Sequence, residues 1–173
     1  MSDCVVREAT RGDLVGILAL YRELRPNDPV LSLVEASASW DRVLSSPGVQ
    51  VIVAELESSI ASSCMLAIVP NIAHGGRPFG IIEHVITAQI HRRRGLARSV
   101  LAYALRLAWS RNCYKVVLLS GAERTDAHRV YESVGFRGGV ESGFVAKPAV
   151  GPNLSLNPDA SPAALTRRPL GAG

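Results

Sequence analysis

The pattern of apolar and polar residues predicts a chain that alternates between helices and strands. The clearest helix covers residues 94–111, where Leu96, Val100 and Tyr103 lie on one apolar stripe at spacings of four and three. The other predicted helices cover residues 14–24, 31–44 and 126–134, the predicted strands residues 4–9, 49–55, 59–69, 79–87 and 114–119, and a terminal hairpin residues 136–147. The order β-α-α-β-β-β-α-β-α-β-β predicts an α/β fold, with a mixed sheet and helices on its faces.

The length and composition predict one domain followed by a tail. A chain of 173 residues, 47% of them hydrophobic and 20% charged, is long enough to bury one core. We expect this domain to cover residues 2–147. Residues 148–173 contain five of the ten prolines and no aromatic residue, which predicts a flexible, proline-rich C-terminal tail.

The beginning of the chain and its cysteines bear on the compartment. The first four residues lack the basic and apolar regions of a secretory signal, and no apolar run is long enough to span a bilayer, so we expect a cytoplasmic protein with no membrane partner. Cys4, Cys64 and Cys113 are scattered and lack the spacing of metal ligands. We therefore expect free thiols and no metal, with Cys113 packed in the core.

A basic turn between a predicted strand and the clearest helix is the strongest candidate for an anion site. Four arginines fall within seven residues around Gly95: Arg92, Arg93, Arg94 and Arg98. The first amides of a helix have no intrahelical acceptors and carry partial positive charge, and small residues such as Gly95 and Ala97 let a diphosphate approach them closely. A solvated basic helix start is the alternative interpretation. A nucleic-acid partner is disfavoured, because the net charge is only +4 and no aromatic residue interleaves the arginines to stack on bases.

Two motifs resemble those of the GNAT superfamily of N-acetyltransferases. The family's acetyl-CoA signature, Arg/Gln-x-x-Gly-x-Gly/Ala, is matched by residues 92–97, and its second motif, which ends in Tyr, three residues and Gly-Phe, is matched by residues 130–136. The resemblance covers residues 5–147 and excludes the tail. It implies the GNAT acyl-CoA N-acyltransferase fold and transfer of acetyl from acetyl-CoA to a primary amine in a ternary complex. Residues 82–85 and 112–116 are further similar to the small GNAT branch that includes glucosamine-phosphate acetyltransferases.

The resemblance also implies where acetyl-CoA binds. In GNAT proteins two central parallel strands splay apart, and the pantetheine arm lies in the gap. Val85, Ile86 and Thr87 would then hold the pantetheine and the thioester. The cradle of the diphosphate would consist of Arg92, Arg93, Arg94, Gly95, Leu96, Ala97 and Arg98, and Tyr131 would also meet the cofactor.

Three residues are candidates for the acid and the base. Tyr131 matches the tyrosine that many GNAT proteins use to protonate the leaving thiolate, although a core tyrosine is the alternative. Glu83 matches an acidic position of resembling proteins and is the favoured base, acting directly or through water; a histidine titrates nearer neutral pH, which makes His84 the competitor. Successive strand side chains point to opposite faces, so we expect only one of the two to face the cleft. Either one could instead be a satisfied polar residue beside the sheet.

The sequence says less about the acceptor and the partners than about the cofactor. By resemblance, the first two helices and the terminal hairpin select the acceptor, through residues such as Tyr21, Arg25, Asn27 and Phe144. The acceptor is expected to be an amine of a small molecule or a protein, and a homodimer is possible because dimers are common in the family. The alternative function is a non-catalytic acetyl-CoA-binding sensor or interaction module. His128, one turn before Tyr131, is expected to touch the cofactor, orient the tyrosine or lie in solvent.

Overall fold

The computed structural model describes residues 4–148. Residues 1–3 and 149–173 lie outside the described residues, so the predicted tail is almost entirely outside them too. The chain divides into two units after residue 142. The fold described below is that of residues 4–142, and residues 143–148, taken by themselves, contain no helix or strand.

Five strands form one mixed sheet, in which their spatial order equals their order along the chain. Strands β1 to β4 are antiparallel neighbours, and β5 lies parallel to β4. The strands are β1 (Cys4–Glu8), β2 (Val49–Leu56), β3 (Ser59–Val69), β4 (Phe79–Thr87) and β5 (Val116–Leu118). A parallel pair requires a crossover connection, and helix α4 (Leu96–Ser110) provides it. The predicted α/β class with a mixed sheet is confirmed.

Helices cover both faces of this sheet. The other helices are α1 (Leu14–Leu24), α2 (Leu33–Ser45) and α5 (Thr125–Glu132). The segment α3 (Ala73–Gly76) is a single turn in which His74 and Gly75 have positive φ, and 3-10 turns lie at Arg11–Asp13 and Gln89–His91. Alternate residues of β2 belong to different cores: Ile52 and Ala54 pack with α4, whereas Val51 and Val53 pack with α1 and α2. The period of two along a strand therefore sorts the apolar residues into two layers.

Two differences from the predicted elements have a cause in the backbone conformation. The terminal hairpin is wrong: residues 136–148 contain turns and irregular chain but no strand. Their alternation is interrupted by glycines, which weaken strands, and Gly139 has a φ of +73°. Helix α4 begins at Leu96 rather than at residue 94, because Gly95 is left-handed with a φ of +81°.

A buried carboxylate, Asp13, ties β1 to the start of α1. The Nη1 and Nη2 atoms of Arg7 donate to its two carboxylate oxygens at 2.7 and 2.8 Å, and the Thr10 backbone N–H donates to it at 2.6 Å. Arg7 also donates to Glu55 of β2. The hydrogen bonds from Arg7, more than any other cause, lower the pKa of Asp13 from 3.8 to about 2.

Replacing Asp13 with asparagine is expected to lower the free energy of unfolding by about 2 kcal/mol at neutral pH. Because the pKa of Asp13 falls from 3.8 to about 2 on folding, its stabilising effect is complete above the higher value and is lost as the pH drops through the lower one. Denaturant unfolding of both proteins from neutral to acidic pH tests this. The two free energies should converge as the pH approaches 2; equal stability at neutral pH would contradict the assignment.

Candidate active site

The two parallel strands pair briefly and then separate. Residues 80–82 of β4 pair with residues 116–118 of β5, whereas β4 itself continues to Thr87. Residues 83–87 therefore have no partner in β5, whereas on their other side they lie beside β3 in the sheet. The backbone of this part of β4 borders an opening between the strands, which is the splayed arrangement that the GNAT resemblance implies.

A β-bulge shapes β4 at the edge of this opening. His84 has a φ of +54°, which is uncommon for a residue other than glycine, and the β3–β4 register shifts at the same level, between Ser63 and Met65. The bulge interrupts the regular alternation along β4, and Glu83, His84 and Val85 all line the same cavity. Because the lining includes both Glu83 and His84, it does not select between them, and the choice of Glu83 as the base stays a prediction.

The cavity in the opening has a volume of about 210 Å³. At ~30 Å³ per water molecule in the liquid, it holds the equivalent of about seven waters. Its walls come from the end of α1, from β4, from the β5–α5 loop and from α5. The ionisable and hydroxyl-bearing residues in its lining are Arg25, Glu83, His84, Ser120, Arg124 and Tyr131.

Tyr131 is fixed by the core but reaches the cavity. Its residue is only 8% exposed, and its ring packs edge to face against Phe136, with centroids 6.3 Å apart. Within residues 4–148 its hydroxyl makes no hydrogen bond. The ring is thus held by packing, while the hydroxyl is left for a group that enters the cavity.

The four residues predicted to select the acceptor differ in their position relative to the cavity or in whether they belong to the fold described here. Arg25 lines the cavity, and the ring of Tyr21 lies 5.2 Å from the His84 ring, between centroids. Burial raises the pKa of Tyr21 to about 12, so its phenol stays protonated at neutral pH. Asn27 lies in the turn after α1 and is not among the residues that line the cavity. Phe144 belongs to the unit that begins at residue 143, outside the fold described here.

The basic turn has the backbone conformation of an anion site. Arg93 and Gly95 both have positive φ, at 59° and 81°, and the first intrahelical bond of α4 runs from the Ser99 N–H to the Gly95 carbonyl at 3.0 Å. The amides of Leu96, Ala97 and Arg98 therefore precede the hydrogen-bonded helix. No atom other than those of its chain neighbours lies within 4 Å of a Cβ placed on Gly95, so the space beside this residue is open. An anionic group such as a diphosphate fits this cradle.

The four arginines of the turn differ in their partners. Arg92 Nε donates to the Thr87 carbonyl at 3.3 Å, and Arg94 Nη1 donates to His91 Nδ1 at the same distance. In the part of the chain that the structure describes, Arg93 and Arg98 make no side-chain hydrogen bond or ion pair. Arg92 thus joins the end of β4 to the turn, while the guanidinium groups of Arg93 and Arg98 remain available to an anion.

Sequence reasoning missed two groups that shape the site. The buried Ser62 hydroxyl of β3 donates to the Ile86 carbonyl at 2.8 Å and lies 2.8 Å from Thr87 Oγ1, which fixes the end of β4. Arg124, at the start of α5, lines the cavity. A serine inside an apolar strand was a signal for Ser62, but nothing in the sequence near Arg124 distinguished it.

His128 supports the loop between β5 and α5. Its Nε2 atom lies 3.0 Å from the Gly121 carbonyl, so the ring donates a hydrogen bond to that oxygen. Gly121 and its neighbour Ser120 both line the cavity. His128 therefore holds the loop rather than orienting Tyr131 by a direct bond.

The thiols, the possible metal ligands and the possible membrane spans of the described residues also bear on the proposed chemistry. Cys64 and Cys113 are buried free thiols, and burial raises the pKa of Cys64 to about 12. Cys113 packs in the core, as predicted. Across residues 4–148, no group of three or more His, Cys, Asp and Glu side chains is arranged to hold a metal ion, and no helix is both long and apolar enough to span a membrane.

Comparisons with known proteins agree with this geometry. The acetyltransferase (GNAT) family matches residues 11–136. A glucosamine 6-phosphate N-acetyltransferase of Trypanosoma brucei brucei is 28% identical over 135 residues, which cover 78% of this chain and 90% of the relative. A solved structure from Agrobacterium tumefaciens str. C58, assigned as an acetyltransferase, is 39% identical with a TM-score of 0.79, and the match covers 83% of this chain and 99% of that one.

A further similarity is to a structure that contains CoA. It is an aminoglycoside N-acetyltransferase in complex with CoA, which shares the fold with a TM-score of 0.72 at 19% identity, over 86% of this chain and 97% of that one. The family match covers most of the present chain, including both motifs and all of the split-strand region. The chain therefore belongs to the acetyltransferase (GNAT) family and is an acyltransferase.

Proposed function

We propose that the protein transfers the acetyl group of acetyl-CoA to the primary amine of a small molecule, by direct attack in a ternary complex. The observation that carries this proposal is the course of β4. Its residues 83–87, which have no partner in β5, connect the cavity that contains Tyr131 to the basic turn at Arg92. At ~3.3 Å per residue, this stretch spans about 13 Å. An extended thioester-bearing arm anchored by its diphosphate at the turn can follow it into the cavity.

In this proposal the diphosphate binds at the start of α4. The amides of Leu96, Ala97 and Arg98 and the free guanidinium groups of Arg93 and Arg98 would donate to its oxygens, which combines backbone donors with charge-assisted bonds. Val85, Ile86 and Thr87 would bind the pantetheine arm through their backbone groups. The substrate thioester would then lie beside the bulge at His84.

The chemical step requires one base, one oxyanion donor and one acid. Glu83, directly or through a water, takes a proton from the amine, whose lone pair attacks the thioester carbonyl carbon. A backbone N–H near Val85 or Ile86 stabilises the oxyanion of the tetrahedral intermediate. The C–S bond then breaks, and the Tyr131 hydroxyl gives its proton to the departing thiolate. The products are an N-acetyl amide and CoA.

Two observations support a small acceptor. The cavity beside Glu83 and Tyr131 has a volume of about 210 Å³, which suits a small polar molecule better than a folded surface. The trypanosomal relative is named for acetylation of glucosamine 6-phosphate, a small amine. We extend that substrate class, but not that particular substrate, to the present protein.

Steady-state assays with acetyl-CoA and a panel of primary amines test this function. Glu83→Gln is expected to lower kcat by about 10²-fold or more, whereas His84→Gln should keep kcat within about tenfold of the wild-type value. If His84→Gln instead causes the larger loss, the base is misassigned. If acetyl-CoA binds but no amine is acetylated, the protein is a binding module and not the proposed enzyme.

A further inference from the structure

Two arginines in the lining of the cavity have no side-chain partner within residues 4–148. Arg25 follows α1 and Arg124 precedes α5. Neither guanidinium group makes a hydrogen bond or an ion pair with any other residue that the structure describes. Both residues are exposed, so their guanidinium groups are open to an anionic ligand that enters the cavity.

A third unpaired polar group lies in the same wall. The Ser120 hydroxyl oxygen is buried and has no hydrogen-bond partner among the described residues, and Ser120 lines the cavity next to Arg124. A buried polar atom without a partner costs free energy unless a ligand or water satisfies it. This hydroxyl is independent of the arginines and can donate to a polar ligand in the cavity.

The charges of the lining define what that ligand carries. Arg25 and Arg124 contribute two positive charges and Glu83 contributes one negative charge. A primary ammonium complements Glu83, and a phosphate monoester, which carries a charge of about −1.5 to −2 at neutral pH, complements two arginines. A carboxylate would complement only one of them.

We infer that Arg25 and Arg124 determine specificity by binding a phosphate monoester on the acceptor amine. This inference rests on the proposed function and adds the acceptor's second functional group to it. Glu83 attracts the amino end of the acceptor while the two arginines hold the phosphate end. The opposed charges thereby orient the amine toward the thioester.

The test compares matched amines in the wild-type enzyme: ethanolamine with phosphoethanolamine and β-alanine, and glucosamine with glucosamine 6-phosphate. The phosphorylated member of each set should have a kcat/KM at least about 100-fold above the neutral one. Arg25→Gln and Arg124→Gln should each lower kcat/KM for the phosphorylated amine by about 10- to 100-fold, because a charge-assisted bond is lost. In both variants the loss of kcat/KM should be at least about tenfold smaller for the neutral amine, and the Kd of CoA should change by less than about twofold.

Arg22→Gln on α1 and Arg129→Gln on α5 are the matched controls, since each removes an arginine from the same element at a position that does not line the cavity. Equal kcat/KM for neutral and phosphorylated amines would overturn the inference while leaving acetyl transfer intact. A kcat/KM for β-alanine as high as that for phosphoethanolamine would have the same consequence. A preference that persists in both cavity variants, or a raised Kd of CoA in Arg124→Gln, would overturn the roles of the arginines. Failure to acetylate any amine would overturn the proposed function itself.

Discussion

Tyr131→Phe is expected to lower kcat by about 10²-fold while the Kd of acetyl-CoA changes little. The substitution removes only the hydroxyl, which makes no hydrogen bond within the described residues and lies at the cavity. The thiolate then has to leave without a proton donor. The ring and its edge-to-face contact with Phe136 remain, so the fold should be preserved. Steady-state kinetics with saturating acetyl-CoA measures the effect.

Tyr103→Phe is the matched control for this experiment. Tyr103 lies on α4, packs against the same core and is not among the residues that line the cavity. Its substitution should leave kcat within about twofold of the wild-type value. If Tyr131→Phe also retained wild-type kcat, Tyr131 would be a packing residue and some other group would protonate the thiolate.

Gly95→Ala is expected to raise the Kd of CoA by at least about tenfold. Gly95 has a φ of +81°, and a methyl group there would occupy the open space beside the turn where the diphosphate is proposed to bind. The left-handed conformation also costs an L-residue about 1–2 kcal/mol, so the free energy of unfolding should fall by that amount. Ligand-dependent thermal shifts and denaturant unfolding measure the two effects separately.

Gly139→Ala separates backbone strain from loss of the binding site. Gly139 also has a positive φ, +73°, with no atom within 4 Å of a Cβ placed on it, and it lies in the turn that follows α5. Its substitution should cause a similar loss of stability with no change in the Kd of CoA. A wild-type Kd in Gly95→Ala would mean that the diphosphate does not approach this turn.

Local signals in the sequence predicted the fold class and the position of the basic turn. The α4 stripe, the glycine at 95 and the Tyr131 motif each depend on residues close together in the chain, and the structure places the elements near the predicted bounds. The GNAT motifs were equally local. For this reason the family could be recognised before any tertiary contact was known.

Features that depend on pairing between distant segments could not be predicted in this way. The bulge at His84 arises from the register of β4 against β3, so strand alternation alone could not predict the course of β4 at Glu83 and His84. Arg124 reaches the cavity because the loop after β5 returns toward β4, a consequence of tertiary structure. The terminal hairpin was predicted from alternation near glycines, and no strand forms there.

Calorimetric titration of the wild-type protein with CoA and, separately, with pantetheine tests the central claim, which is that the α4 amides bind the diphosphate of CoA. Pantetheine keeps the thiol arm but lacks the diphosphate. We predict measurable heat and saturable 1:1 binding for CoA, with pantetheine bound at least about 100-fold more weakly, the loss expected for several charge-assisted hydrogen bonds. No binding of CoA, or equal affinity for the two ligands, would contradict the account.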